Sequence, residues 1–162
     1  MANYSDQHFL GKSLDTTRIL DKKIAIVTAL WNGEVTSKLR EGAYQHLMDQ
    51  GLDPEQVHTW DVPGTFELVY AANKMAFEGY DGVICLGCVI QGETRHFDFI
   101  CQAVATGITN VGLAFNKPVI FGVLTTLNQE QAFDRAGGKH GNKGVEAAYT
   151  ALKMIAMQRS IL

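Results

Sequence analysis

A chain of 162 residues, 46% hydrophobic and 19% charged, holds enough apolar material for one well-buried domain and is short for two. Its formal net charge of −3, with no run of Lys or Arg, leaves no electrostatic footprint for nucleic acid. No apolar stretch approaches the roughly 20 residues of a membrane span, and the polar opening "MANYSDQH" lacks the form of a signal peptide. The expectation is a soluble, cytoplasmic protein without a membrane partner.

In chain order, residues 1–17 are polar and aperiodic, which suggests an arm that is flexible or pairs with a neighbouring subunit. A single domain over 18–162 follows. "KIAIVTA" (23–29) reads as a strand, and a helix near 34–50 places Val35, Leu39, Ala43 and Leu47 on one stripe, with Gly51 as its stop. "VHTWDV" (57–62) is a second strand; Pro63-Gly64 then turns the chain into a helix from about Thr65, carrying Leu68, Val69, Ala72, Met75 and Ala76. "GVICLGCVI" (82–90) is the near-continuous apolar run expected of a strand buried on both faces. A long helix from about Thr94 carries Phe97, Ile100, Cys101, Val104, Ile108 and Val111. "PVIFGVLTT" (118–126) is the fourth strand, and a short helix begins near Asn128. After "GGKHGNKG" (137–144) breaks the chain, a last helix runs to the C-terminus.

Strands alternating with helices predict an α/β fold: an open, doubly wound sheet of mainly four parallel strands with helices on both faces. Such sheets bind ligands outside the carboxyl ends of their strands, where strand order reverses. The residues to weigh are therefore those at the corners 29–33, 62–67, 88–96 and 125–128.

Cys85 and Cys88 form a C-x-x-C, but inside a strand their side chains point to opposite faces, and no second Cys or His pair completes a metal set. Buried, reduced thiols are expected. At the first corner Trp31 offers a flat stacking surface or a core-edge ring, and Asn32 offers a donor and an acceptor. At the second, Thr65 fits an N-cap, and Glu67 fits either the positive helix end or the hydroxyls of a polyol-like ligand. At the third, Gly92, Glu93 and Thr94 precede a helix whose N–H groups favour an anion such as phosphate. His96, in that helix's first turn, is either a proton-transfer imidazole or a capping residue. Ile100 at i+4 offers no ligand, which argues against metal. The Gly/Lys-rich segment 137–144 does not satisfy G-x-x-x-x-G-K-[ST] and follows a helix, so a nucleotide triphosphate loop is not expected. Arg135 just before it is suited to gripping phosphate.

Taken together, Trp31-Asn32, "VPGTFE" (62–67), "GCVIQGETRHFDF" (87–99), "PVIFGVLTT" (118–126) and "RAGGKHGNKG" (135–144) closely resemble lumazine synthase in order and spacing. The resemblance covers essentially the whole chain beyond the arm. It implies a flavodoxin-like sheet and a condensation of 5-amino-6-(D-ribitylamino)uracil with 3,4-dihydroxy-2-butanone 4-phosphate, without metal or organic cofactor. By resemblance, Trp31 stacks on the pyrimidine with Asn32 beside it. Thr65, Phe66 and Glu67 hold the ribityl chain, and Cys88, Val89 and Ile90 contact the pyrimidine edge. Glu93 and Thr94 lie on the butanone phosphate, and His96 transfers protons. Phe121, Arg135 and Lys143 are lent to a neighbour's site, Phe121 and Lys143 on the pyrimidine and ribityl side and Arg135 on the phosphate. Cys88, Gln91 and Glu93 depart from the usual Thr, basic and small residues, which bears on the phosphate side. The resemblance further implies a homo-oligomer with sites between subunits, a pentamer at least, with the sixty-subunit shell of some members left open. An FMN-binding module, a non-catalytic scaffold and a riboflavin synthase on a related fold remain alternatives at this point.

Overall fold

The computed structural model describes residues 19–160; the arm expected at 1–17 lies outside them. Strands β1 (Ile24–Ala29), β2 (Val57–Val62), β3 (Gly82–Ile90) and β4 (Val119–Thr126) form one sheet in the order β2-β1-β3-β4, all neighbours parallel. β1 is buried at every position and β3 from Gly82 to Cys88, which is why both read as unbroken apolar runs: helices cover both of their faces. Edge strand β2, by contrast, is buried only at Val57. From β1 the chain steps one way to β2, then returns past β1 to β3 and on to β4. The order therefore reverses between β1 and β3, and that crevice is the one to inspect.

Helices α1 (Gly33–Asp49) and α5 (Lys143–Ser160) pack on one face with Ile24, Ile26, Ile84, Leu86 and Cys88. Helices α2 (Leu68–Phe77) and α3 (His96–Phe115) pack on the other with Ala25, Val27, Val83 and Cys85. The α1 stripe Val35, Leu39, Ala43 and Leu47 is fully buried, as its spacing predicts. Cys85 and Cys88 do fall in opposite cores, unpaired, and burial pushes their thiols up to about 12 and about 11.

Two expectations need correction. Helix α3 is 20 residues long and apolar enough to match a membrane span by length and composition. Gln, Thr, Asn and Gly scattered through it hide that in a search for an unbroken apolar run. Only Val104, Ile108 and Val111 are buried within the chain, leaving Phe99 and Leu113 exposed. The segment expected to be a plain break is instead an antiparallel ribbon, β5 (Ala136–Gly138) with β6 (Gly141–Asn142), after the short helix α4 (Gln129–Asp134) that Asn128 caps. Gly137 and Gly141 take φ of 107° and 76°, a region glycine enters without penalty. Asn142 stitches the ribbon down: Nδ2 donates to the Lys38 carbonyl at 2.9 Å, and Oδ1 accepts from the Gly144 N–H at 2.8 Å, capping α5. Gly144 is required there, since a Cβ would lie 1.8 Å from the Leu39 carbonyl oxygen.

Candidate active site

The first corner extends the β1–β2 ladder past both strands: the Leu30 N–H donates to the Val62 carbonyl at 2.8 Å and the Trp31 N–H to the Pro63 carbonyl at 3.2 Å. Asn32 then turns the chain into α1 with φ 59° and ψ 42°, a left-handed conformation that Asn tolerates better than most residues. Its side chain stands at the cap position of α1 yet makes no cap bond. Nδ2 reaches across to the Cys88 carbonyl at 2.8 Å, tying the end of β1 to the end of β3. This hydrogen bond spans the strand-order reversal. Trp31 beside it is 74% exposed, so its ring faces outward rather than closing the core.

At the second corner α2 starts at Leu68, not near Thr65. Thr65 is no N-cap: it is only 6% exposed, and its side chain abuts β3, where a Cβ on Gly87 would meet Thr65 Oγ1 at 2.8 Å. The backbone makes the turn itself, with the Leu68 N–H donating to the Thr65 carbonyl at 3.2 Å. Burying Thr65 turns Phe66 and Glu67 outward, and the Glu67 carboxylate folds over Gly64, whose Cβ would lie 2.9 Å from Oε2.

At the third corner Cys88 is buried while Val89 and Ile90 are half-buried at the strand's end, and the Gln91 N–H donates to the Thr126 carbonyl at 2.8 Å. Gly92, Glu93 and Thr94 are exposed; α3 begins at His96, two residues later than the pattern suggests. The His96 backbone N–H points back to Thr94 Oγ1 at 3.4 Å, and its imidazole is exposed. Arg95 lies along α3, 3.8 Å from Asp98 and with its guanidinium 5.9 Å from the Phe99 ring centroid.

The structure thus gathers Trp31, Asn32, Thr65, Phe66, Glu67, Cys88, Val89, Ile90, Glu93, Thr94 and His96 along the carboxyl edge. Three further candidates lie elsewhere. Phe121 is the third residue of β4, opposite Cys85 and half-buried against the α2/α3 core. Arg135 ends α4 and Lys143 begins α5, beside the ribbon. The Arg135 guanidinium, expected to stand ready for phosphate, is engaged within its own chain: Nη2 lies 2.9 Å from the Glu146 carboxylate, and Nη1 donates to the His140 carbonyl. Lys143 Nζ approaches the same carboxylate at 3.2 Å. Nothing in the sequence distinguishes Glu146, because an acid in the first turn of a helix already has an ordinary explanation in the helix dipole.

Residues 21–159 match the family model for 6,7-dimethyl-8-ribityllumazine synthase. The chain belongs to the lumazine synthase family. A lumazine synthase of Cytophaga hutchinsonii is 58% identical over 153 residues, 94% of this chain and 96% of that protein. One from Porphyromonas gingivalis is 50% identical over 140 residues, covering 86% and 87%, and one from Flavobacterium johnsoniae is 49% identical over 144, covering 87% and 76%. Within a lumazine synthase chain, the Asn32 clamp and the buried Thr65 are what align the first three corners on one crevice. The carboxyl edge carries an aromatic face, a carboxylate, an imidazole and an open helix start, a set suited to orienting polar reactants and moving protons.

Proposed function

We propose that the crevice between the ends of β1 and β3 is the reaction site of this lumazine synthase. The chain condenses 5-amino-6-(D-ribitylamino)uracil with 3,4-dihydroxy-2-butanone 4-phosphate to 6,7-dimethyl-8-ribityllumazine, releasing phosphate and water. The primary amine and the ketone join as a Schiff base with loss of water, and phosphate is eliminated. After tautomerisation the ribityl-bearing amine adds to the second carbonyl so formed and closes the ring with loss of another water. None of these steps needs a strong protein nucleophile. Orientation of the two reactants supplies on the order of 7–11 kcal/mol in favourable cases, and one well-placed imidazole adds about 10²–10⁴-fold.

Trp31 stacks on the pyrimidine, whose edge meets the backbone at Cys88–Ile90. Phe66 and Glu67 border the ribityl chain, with Glu67 accepting from its hydroxyls. The start of α3, with Glu93 and Thr94 before it, receives the phosphate through backbone N–H groups, a mode that leaves the Glu93 carboxylate turned aside. His96 takes and returns protons. The single observation that supports this reading is the Asn32–Cys88 hydrogen bond, which ties the end of β1, next to Trp31, to the end of β3, from which the chain leads to His96.

We further propose that the site is completed between subunits of a homo-oligomer working in the cytoplasm, a pentamer being the smallest closed unit. Two observations favour it: Phe121, Arg135 and Lys143 lie away from their own chain's crevice, and most of α3's apolar surface is uncovered in the single chain. Mixing both reactants with the protein and following lumazine absorbance with phosphate release tests the site; a rate equal to the uncatalysed background refutes it. Sedimentation of a species at five chain masses, or at sixty for a shell, supports the assembly, and a monomer at assay concentration refutes it.

A further inference from the structure

We propose that Glu146 is the positioning residue that holds the Arg135 guanidinium, the proposed phosphate ligand, together with the Lys143 head as one unit. Its Oε1 and Oε2 lie 2.9 and 3.2 Å from Arg135 Nη2, and Oε2 lies 3.2 Å from Lys143 Nζ. The carboxylate and guanidinium are 16% and 17% exposed, so the pair is well shielded from water. One further contact fixes the guanidinium, Nη1 donating to the His140 carbonyl, and on the main chain the Arg135 carbonyl accepts from the Lys143 N–H at 2.8 Å. Physical reasons make Glu146 the centre of this cluster. Lys143 begins α5, where the dipole disfavours a cation, and it stands beside a second cation. A carboxylate shared by both offsets that repulsion and lets the two heads remain together. Glu146 also joins the end of α4 to the start of α5, so the ribbon's geometry and the guanidinium's aim are set at the same point.

The inference rests on the reading that Arg135 grips the butanone phosphate. The test uses the full-length enzyme, with kcat and both KM values measured for Glu146→Gln, Glu146→Asp, Arg135→Ala and the Arg135→Ala/Glu146→Gln double variant. Glu146→Gln raises the butanone phosphate KM about tenfold, as a misaimed ligand group does, with kcat changed less than about twofold. Glu146→Asp keeps the charge and recovers part of the loss. In the Arg135→Ala background Glu146→Gln adds less than about twofold, because its partner is gone. An unchanged KM in Glu146→Gln, or an equal effect in the double variant, overturns the role. If Arg135→Ala itself leaves that KM unchanged, the phosphate reading of Arg135 falls and Glu146 with it. If Arg135→Ala raises the KM and Glu146→Gln does not, only the role of Glu146 falls. Should Glu146→Gln fail to fold, Glu146→Asp in the same cycle decides by the same criterion.

Discussion

Replacing Asn32 separates two contributions made by one residue. The hydrogen bond from Nδ2 to the Cys88 carbonyl, 2.8 Å long and partly buried, contributes about 0.5–1.5 kcal/mol net. The left-handed backbone at φ 59° is the second contribution, since an alanine there costs roughly 1–2 kcal/mol. Asn32→Ala loses both and is expected to destabilise by about 2–3 kcal/mol. Asn32→Gly keeps the backbone conformation at ease and loses the clamp, for about 1 kcal/mol. Asn32→Asp keeps the size and the left-handed tolerance but sets a carboxylate against a carbonyl oxygen, so it is expected to match alanine. Denaturant unfolding without substrate, at one protein concentration for all variants, reads the stability, and kcat/KM for lumazine formation reads the site. A loosened crevice lowers kcat/KM in the order Gly, then Ala and Asp. If all three variants unfold like the parent while pyrimidine affinity falls, the clamp is refuted and Asn32 acts as a direct ligand.

His96→Ala should lower kcat by about 10²-fold with pyrimidine affinity nearly kept; an unchanged rate reduces His96 to the start of a helix. His46 in α1 has a buried Nε2 without a hydrogen-bond partner and packs edge-on to Tyr149, 6.2 Å between ring centroids. Burial lowers its pKa below the ordinary 6.5, against an opposing pull from Asp49. With the folded value below the unfolded one, the fold binds fewer protons than the unfolded chain, so stability falls as pH drops through 6.5 toward the folded value. His46→Phe should flatten that part of the stability–pH curve, and an unaltered slope between pH 7 and about 5 contradicts the assignment. Because burial raises Cys85 and Cys88 to about 12 and about 11, both should resist a thiol reagent at pH 8 until the chain unfolds. Rapid labelling of either in the native protein refutes their burial. Gly144→Ala should cost more than about 3 kcal/mol, because the obstacle at Leu39 is backbone and cannot step aside; wild-type stability would show that α1 and α5 part more easily than their packing implies.

What could be read from the sequence divides by the range of the forces involved. β2 and β3 have the predicted bounds, and β1, β4 and α1 lie within a residue of theirs, because periodicity of 2 or 3.6 is a local record of which side faces the core. For α2 and α3 the sequence pattern points to starts two to three residues early, at Thr65 and Thr94. At the first, Thr65 next to a turn offers a capping signal; in both, the decisive contact is distant: Thr65 packs under Gly87, and the chain from Gln91 follows the end of β4. The same holds within the site. Trp31 and His96 could be recognised by residue type and position, but the clamp from Asn32 to Cys88 joins residues 56 apart, and nothing local distinguishes it from an ordinary helix cap.

That clamp also bears on what Cys88 contributes where the resemblance to lumazine synthase leads one to expect a Thr. Asn32 donates to the backbone carbonyl at position 88, not to the side chain, and the side chain itself is buried in the α1/α5 core with its thiol pushed up to about 11. A group so placed offers neither a thiolate nor an exposed donor to the crevice. What position 88 contributes is a carbonyl held at a fixed point, and any small residue that fits the core supplies that equally. Cys88→Thr should therefore leave kcat/KM within about twofold, because the hydrogen bond that defines the crevice is unchanged. A tenfold gain would mean that a side-chain hydroxyl reaches the reactants, and the view of this strand end as a backbone contact would be wrong.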